Sequence, residues 1–318
     1  LQGEETEFWP APSGFSKVGQ LWRLFSFSLN CDNLMDMKVA IVQLSPHLGL
    51  LEKNLQLHQN YAEEALRSGA ELLVFPELSL TGYTLKDLTA EVAINPWKDP
   101  RLDPLKDISR KIDLVLGLVE ENGRGLYFNT ALYLSQGNIL HRHRKVFLPT
   151  FGLFEEGKFF ATGRSFQTFP TRFGRVGLLI CRDFLHYGAS YLLFAGKADL
   201  IIVISAAPGR GMSAQPGFAS SQMWELMGEA ISRFSTAFVI YCNRVGFEDG
   251  VVFAGGSFIY DPWGKQIWRA PDLEANLWLI ELDLEELRQA RKTWSFLRDD
   301  KPEVILHSLE RTIAKDED

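Results

Sequence analysis

Val176-Gly177-Leu178-Leu179-Ile180-Cys181-Arg182-Asp183 is a short apolar run, with β-branched residues near its ends, that stops at a cysteine and turns polar. Such a run reads as a buried strand. Cys181 then sits where a strand of an α/β sheet delivers side chains to a ligand crevice. Two other apolar runs end in a comparable way. Leu72-Leu73-Val74-Phe75-Pro76 leads to Glu77, and the polar segment after Tyr133-Leu134 and Ile139-Leu140 reaches Lys145. Each residue has a plain reading when taken alone: a small buried thiol, a loop carboxylate, a solvated ammonium. Together they are the parts of cysteine-based acyl transfer. The glutamate serves as base, the thiolate attacks a carbonyl or nitrile carbon, and the lysine stabilises charge and keeps the pocket electropositive.

Outward from this run, the order of strands and helices argues for β-α-β crossovers and a sheet covered on both faces. Residues 38–44 and 71–75 read as strands around a helix over 50–67, whose apolar stripe ends at Ser68-Gly69. A hairpin is expected over 127–135 and 139–143, turning on Gln136-Gly137-Asn138. Residues 145–170 show no period and read as a long irregular segment, a type that is usually functional. After Cys181 come a helix over 187–195, a strand over 200–204, a glycine- and proline-containing loop over 205–217, and a helix over 218–234. Trp224, Leu226, Met227, Ile231 and Phe234 are expected core residues of that last helix. Strands follow at 237–241, 256–260, 266–269 and 276–281, and Asp283 with Glu286 forms a capping-box pattern ahead of a closing helix. No repeat or linker divides the chain. Residues 1–36 are expected to be an N-terminal extension or an artificial leader, 37–300 a single domain, and 301–318 a C-terminal tail.

A chain of 318 residues can bury a large core, and 46% hydrophobic with 23% charged residues is ordinary for a globular protein. A formal charge of -7 and the lack of a basic run weigh against nucleic-acid binding. No apolar run reaches the length of a membrane span, and the first residues lack a signal-peptide pattern. Cys31, Cys181 and Cys242 are odd in number and widely spaced. They form neither a disulfide framework nor a metal-ligand set, so a reducing, cytoplasmic location is expected. His141 and His143 alternate along one strand without a cluster to complete a metal site.

The chain resembles the nitrilase superfamily, the carbon-nitrogen hydrolases, over residues 37–298. Residues 73–83 (LVFPELSLTGY), 143–149 (HRKVFLP) and 177–183 (GLLICRD) match the family's glutamate, lysine and cysteine motifs in order. Asn243-Arg244-Val245-Gly246, Gly255-Gly256-Ser257 and Asp261-Pro262-Trp263-Gly264 match the region beyond. The resemblance implies an α/β fold, a four-layer α-β-β-α sandwich, with a Glu77-Lys145-Cys181 triad. It also implies an auxiliary glutamate, for which Glu156 is preferred over its neighbour Glu155. Arg182 departs from the Tyr, Trp or Glu that many relatives carry after the cysteine. Its side chain either favours a carboxylate-bearing substrate or pairs at the surface.

In the implied mechanism Cys181 attacks a small amide, N-carbamoyl compound or nitrile, and Lys145 and the Arg182 backbone N–H face the oxyanion. An amidase-like hydrolase of an amide or N-carbamoyl compound is preferred, releasing ammonia or an amine; a nitrilase and a catalytically silent scaffold remain as alternatives. Pocket walls are expected from Tyr83, Phe151 to Phe154, Asp183, the loop from Ala206 and Ala207 to Met212, and Phe247 to Phe253. Asp183 reads more readily as a residue that orients the cysteine turn through backbone hydrogen bonds. No metal or organic cofactor is required. No G-x-G-x-x-G or P-loop signature points to a fused glutamine-dependent synthetase. The resemblance further implies a homodimer or larger even-numbered oligomer, with contacts around Leu185 to Ala195 and Phe218 to Phe234.

Overall fold

Strand β1 (Met37–Gln43) opens a computed structural model that describes residues 36–211 and 217–315. The expected leader, apart from Asp36, lies outside the described residues, as do Cys31 and Met212. After β1 come α1 (Leu51–Arg67), β2 (Leu72–Val74), α2 (Thr89–Val92), α3 (Asp103–Ile108), β3 (Asp113–Glu121), β4 (Tyr127–Ser135) and β5 (Asn138–Arg144). Next are α4 (Glu156–Phe159), β6 (Thr168–Thr171), β7 (Gly174–Ile180), a 3-10 turn over Cys181–Leu185, α5 (Tyr187–Ala195), β8 (Leu200–Ser205), α6 (Ala219–Ser235) and β9 (Phe238–Asn243). The hairpin β10 (Val245–Glu248) and β11 (Val251–Ala254) precedes β12 (Phe258–Tyr260), β13 (Gln266–Arg269) and β14 (Asn276–Leu282). Helices α7 (Glu285–Thr293), α8 (Phe296–Asp299) and α9 (Pro302–Lys315) complete the order.

Two six-stranded mixed sheets result, one ordered β14-β1-β2-β3-β4-β5 and the other β13-β12-β9-β8-β7-β6. The central strands β1, β2 and β3, and likewise β7, β8 and β9, run parallel. Their sequences are almost continuously apolar because both faces are covered, as every residue of β8 is buried. On one outer face Leu51, Leu55, Ala62 and Ala65 of α1 pack with Ala40, Val42, Leu73 and Phe75. On the other, α5 and α6 supply Ala189, Leu193 and Ile231 against Leu179, Val203 and Val239. The inner faces meet each other. Cys242 Sγ lies 3.3 and 3.4 Å from the carbonyls of Val42 and Val74, and Gln43 Oε1 accepts a 2.7 Å bond from Ser257 N. The fold is the four-layer α-β-β-α sandwich.

Several local expectations need correction. The segment 145–170 is not wholly irregular: it holds α4 and the edge strand β6, which pairs antiparallel with β7. Pro170 masks this strand, since proline gives no ladder donor and is tolerated at an edge. The hairpin β10–β11 escapes the period-2 pattern because Gly246 interrupts it, with φ +97°. On α6, Trp224, Met227 and Ile231 face the core as expected, but Leu226 and Phe234 are exposed. Residues 224, 227 and 231 recur on one helical face and 226 falls away from it, whereas Phe234, in the last turn of the same stripe, meets Phe296 of α8. Asp283 Oδ1 accepts from Glu285 N at 2.9 Å, but the Glu286 carboxylate accepts from the Trp263 indole instead of closing a capping box. Within the expected tail, residues 302–315 are helical, and 302–314 are exposed. No described helix is long and apolar enough to cross a membrane.

Candidate active site

Glu77, Lys145 and Cys181 follow the ends of β2, β5 and β7, two strands of one sheet and one of the other, and all three are buried. The facing sheets therefore bring together residues that lie far apart in the chain. Glu77 is completely buried and held on both oxygens. Its Oε1 accepts from Lys145 Nζ and from Asn129 Nδ2, each at 2.7 Å, and its Oε2 accepts from Ala206 N at 2.7 Å. Lys145 Nζ also donates to Glu156 Oε1 at 2.7 Å, and the Tyr83 hydroxyl donates to the same oxygen. Glu155 points outward to Lys158. Of the two neighbouring glutamates, Glu156 is the one within the site.

Cys181 takes a φ of +45°, in the left-handed region where a side chain is uncommon, at the sharp step from β7 into the 3-10 turn. Asp183 holds this step to the lysine segment. One carboxylate oxygen accepts from Val146 N and Phe147 N at 3.1 and 2.9 Å; the other accepts from Ile180 N at 3.3 Å and pairs with His143 Nε2 at 2.8 Å. Asp183 is thus an orienting residue. Its two oxygens are spent on protein groups, which corrects its placement among the pocket walls.

Burial, and then the charge of Glu77, push the Cys181 thiol up to about 12, with Lys145 and a hydrogen bond from Ser205 opposing them. Burial alone would lower Lys145, but Glu156 and Glu77 outweigh it and hold the ammonium above its ordinary value. Burial raises Glu156 to about 7 against the pull of Lys145. The expected electropositive pocket is therefore not what forms. Lys145 is shared between two carboxylates, and the resting thiol keeps its proton.

The Tyr83 ring meets Phe154 and Phe253 edge-on at 6.4 and 5.7 Å. Phe151 is half exposed and lies under the Arg182 guanidinium, 4.6 Å from its ring centroid. Arg182 also borders an open groove of about 430 Å³ with Phe147, Thr150 and His186. Its side chain lies between Phe151 and that groove. Ala206 and Ala207 are buried beside Glu77 and Asn243, whereas Phe247 is exposed on the β10–β11 hairpin.

Residues to which the sequence assigns no role also enter the site. Asn129 is hidden in the middle of β4, where nothing distinguishes it from a strand polar residue. Arg244 is fully buried, pairs with Glu248 at 2.8 Å and stacks 4.1 Å from the Phe253 centroid. Glu248 in turn accepts from Tyr83 N and Thr84 N. The missed hairpin is thereby tied to the tyrosine of the site. Among the described residues no His, Cys, Asp and Glu group is arranged to hold a metal ion.

The model of the carbon-nitrogen hydrolase family matches residues 38–292. The glutamine-dependent NAD(+) synthetase of Acinetobacter baylyi is 29% identical, across 80% of this chain and 46% of that protein. The chain thus spans about half the length of such synthetases. An (R)-stereoselective amidase of Pseudomonas sp is 32% identical, across 83% of this chain and 91% of the relative. Among solved structures, the amidase of Nesterenkonia sp. AN1 superposes with a TM-score of 0.71 at 25% identity, covering 85% of this chain and 96% of that one. One of its structures has the acetamide moiety of fluoroacetamide added covalently at the active site cysteine. With the four-layer fold and a match across most of its length, the chain belongs to the carbon-nitrogen hydrolase family.

Proposed function

We propose that the protein hydrolyses the C–N bond of a small carboxamide through a thioester on Cys181. The observation that carries this reading is the buried junction in which Lys145 bridges Glu77 and Glu156 beside the thiol. A thiol held toward its protonated form by burial calls for a base that acts during attack, and the charge of Glu77 acting on Cys181 supports that role for it. As Glu77 takes the Sγ proton, the C–S bond forms and the carbonyl electron pair moves to oxygen, facing Lys145 and the Arg182 backbone N–H. The tetrahedral adduct collapses, the nitrogen leaves with the proton from Glu77, and a water activated by Glu77 then releases the acid. No step needs a metal or organic cofactor. A reducing compartment such as the cytoplasm suits a mechanism that depends on a free thiol.

A second reading, glutamine as the amide, is favoured by the synthetase relatives, whose names state dependence on glutamine. Ammonia released here would then pass to a further segment or partner. The test is a panel of aliphatic amides, glutamine, N-carbamoyl amino acids and nitriles assayed for ammonia. Release from amides supports the proposal, and a preference for glutamine selects the second reading. Turnover of nitriles alone, or of nothing, contradicts both.

A further inference from the structure

Beside Cys181, a serine and a tyrosine form a buried chain of hydroxyls that the mechanism above does not use. The parallel register pairs Ile180 with Ile204 and Ser205 with Asn243, so one step beyond β7 the nucleophile meets the last residue of β8. Ser205 is fully buried, and the register sets it directly beside Cys181. The Tyr241 hydroxyl donates to Ser205 Oγ at 3.0 Å. Tyr241 itself is clamped, stacked on Phe258 at 4.6 Å and on Trp224 at 5.5 Å.

We infer that Ser205 is a further catalytic residue, donating its hydroxyl proton in a hydrogen bond to Cys181 Sγ, and that Tyr241 is the positioning residue that fixes that direction. The inference rests on Cys181 being the nucleophile. Each hydroxyl carries one proton. With the tyrosine proton occupying a lone pair of Ser205, the serine proton is left for the sulfur. Burial first of all holds the Tyr241 phenol protonated, which keeps the chain pointing one way. The other groups facing the thiol are Glu77, Glu156, Lys145 and Tyr83. Both carboxylates oppose a thiolate, the lysine is divided between them, and Tyr83 donates to Glu156. Ser205 is the neutral donor that stabilises sulfur charge without itself being spent on a carboxylate. Its proton is not transferred: Glu77 takes the Sγ proton as the C–S bond forms, and the same serine stabilises sulfur when it departs from the acyl group.

The test is alkylation of Cys181 by iodoacetamide in the intact protein, followed by mass spectrometry from about pH 6 to about pH 10, with the unfolding midpoint measured alongside. A hydrogen bond to a charged group predicts that Ser205→Ala lowers the alkylation rate about tenfold at each pH below the thiol's pKa. Tyr241→Phe should lower it by a smaller factor, and Ser205→Thr should restore it. Ser205→Ala or Tyr241→Phe proteins that alkylate at the wild-type rate across this pH range, whether or not they melt earlier, overturn the inference. Should Ser205→Ala fail to fold, Tyr241→Phe decides alone. Alkylation needs no substrate, so a lack of amide turnover would count against the hydrolase reading and leave this result independent.

Discussion

Two adjacent glutamates, Glu155 and Glu156, meet opposite fates. The first pairs with Lys158 at the surface, and the second is buried against Lys145 and Tyr83. Glu156 is pushed by burial to about 7, above its ordinary 4.5. A raised carboxyl favours its protonated form in the folded state, so its contribution to stability is complete below about 4.5 and is lost as pH rises through about 7. Melting temperatures across that window should decline more steeply for wild type than for Glu156→Gln. Equal slopes would remove Glu156 as the cause. Lys145→Met strands two buried carboxylates and is expected to cost about 3–5 kcal/mol, read from denaturant unfolding. Glu77→Gln should retain substrate binding while turnover falls by ~10²–10⁴-fold, measured by KM and kcat. The candidates themselves were legible in the sequence because each follows an apolar run. Their partners were not, since only folding brings Asn129 and Ala206 to Glu77 and Glu156 to Lys145.

The element that holds the nucleophile is a turn braced from another sheet. Asp183 joins β7 to the segment after β5, and His143 completes the brace from β5. His143→Phe should displace the lysine segment relative to Cys181 and lower kcat by up to about 10²-fold with KM nearly unchanged, and His143→Gln should recover much of the loss. A change confined to KM would point to a role in binding instead. At this scale the uninterrupted strands β1, β7 and β8 are legible from composition. The edge strand β6, carrying Pro170, and the glycine-broken hairpin β10–β11 are not, because local pattern is overridden there by pairing with distant partners. Helix α9 is a different case: Ile305, Leu309 and Ile313 recur at helical spacing, yet residues 302–314 are exposed, so the tail expectation overlooked a legible pattern.

Across the whole molecule, the two sheets divide the work, one supplying Glu77 and Lys145 and the other Cys181. We propose a homodimer built on α5 and α6, where Tyr187, Met223, Leu226 and Phe234 remain exposed. Light scattering over a dilution series should find a dimer that Leu226→Glu weakens, and a monomer at all concentrations would contradict it. Because α5 begins just beyond the Cys181 turn, specific activity should fall with the dimer. The central claim is covalent chemistry at Cys181. Intact-mass analysis during turnover of a reactive primary amide tests it most directly. The account predicts an acyl adduct on Cys181 that decays as the acid appears, and neither adduct nor ammonia from Cys181→Ala. Ammonia released by Cys181→Ala at the wild-type rate would contradict it.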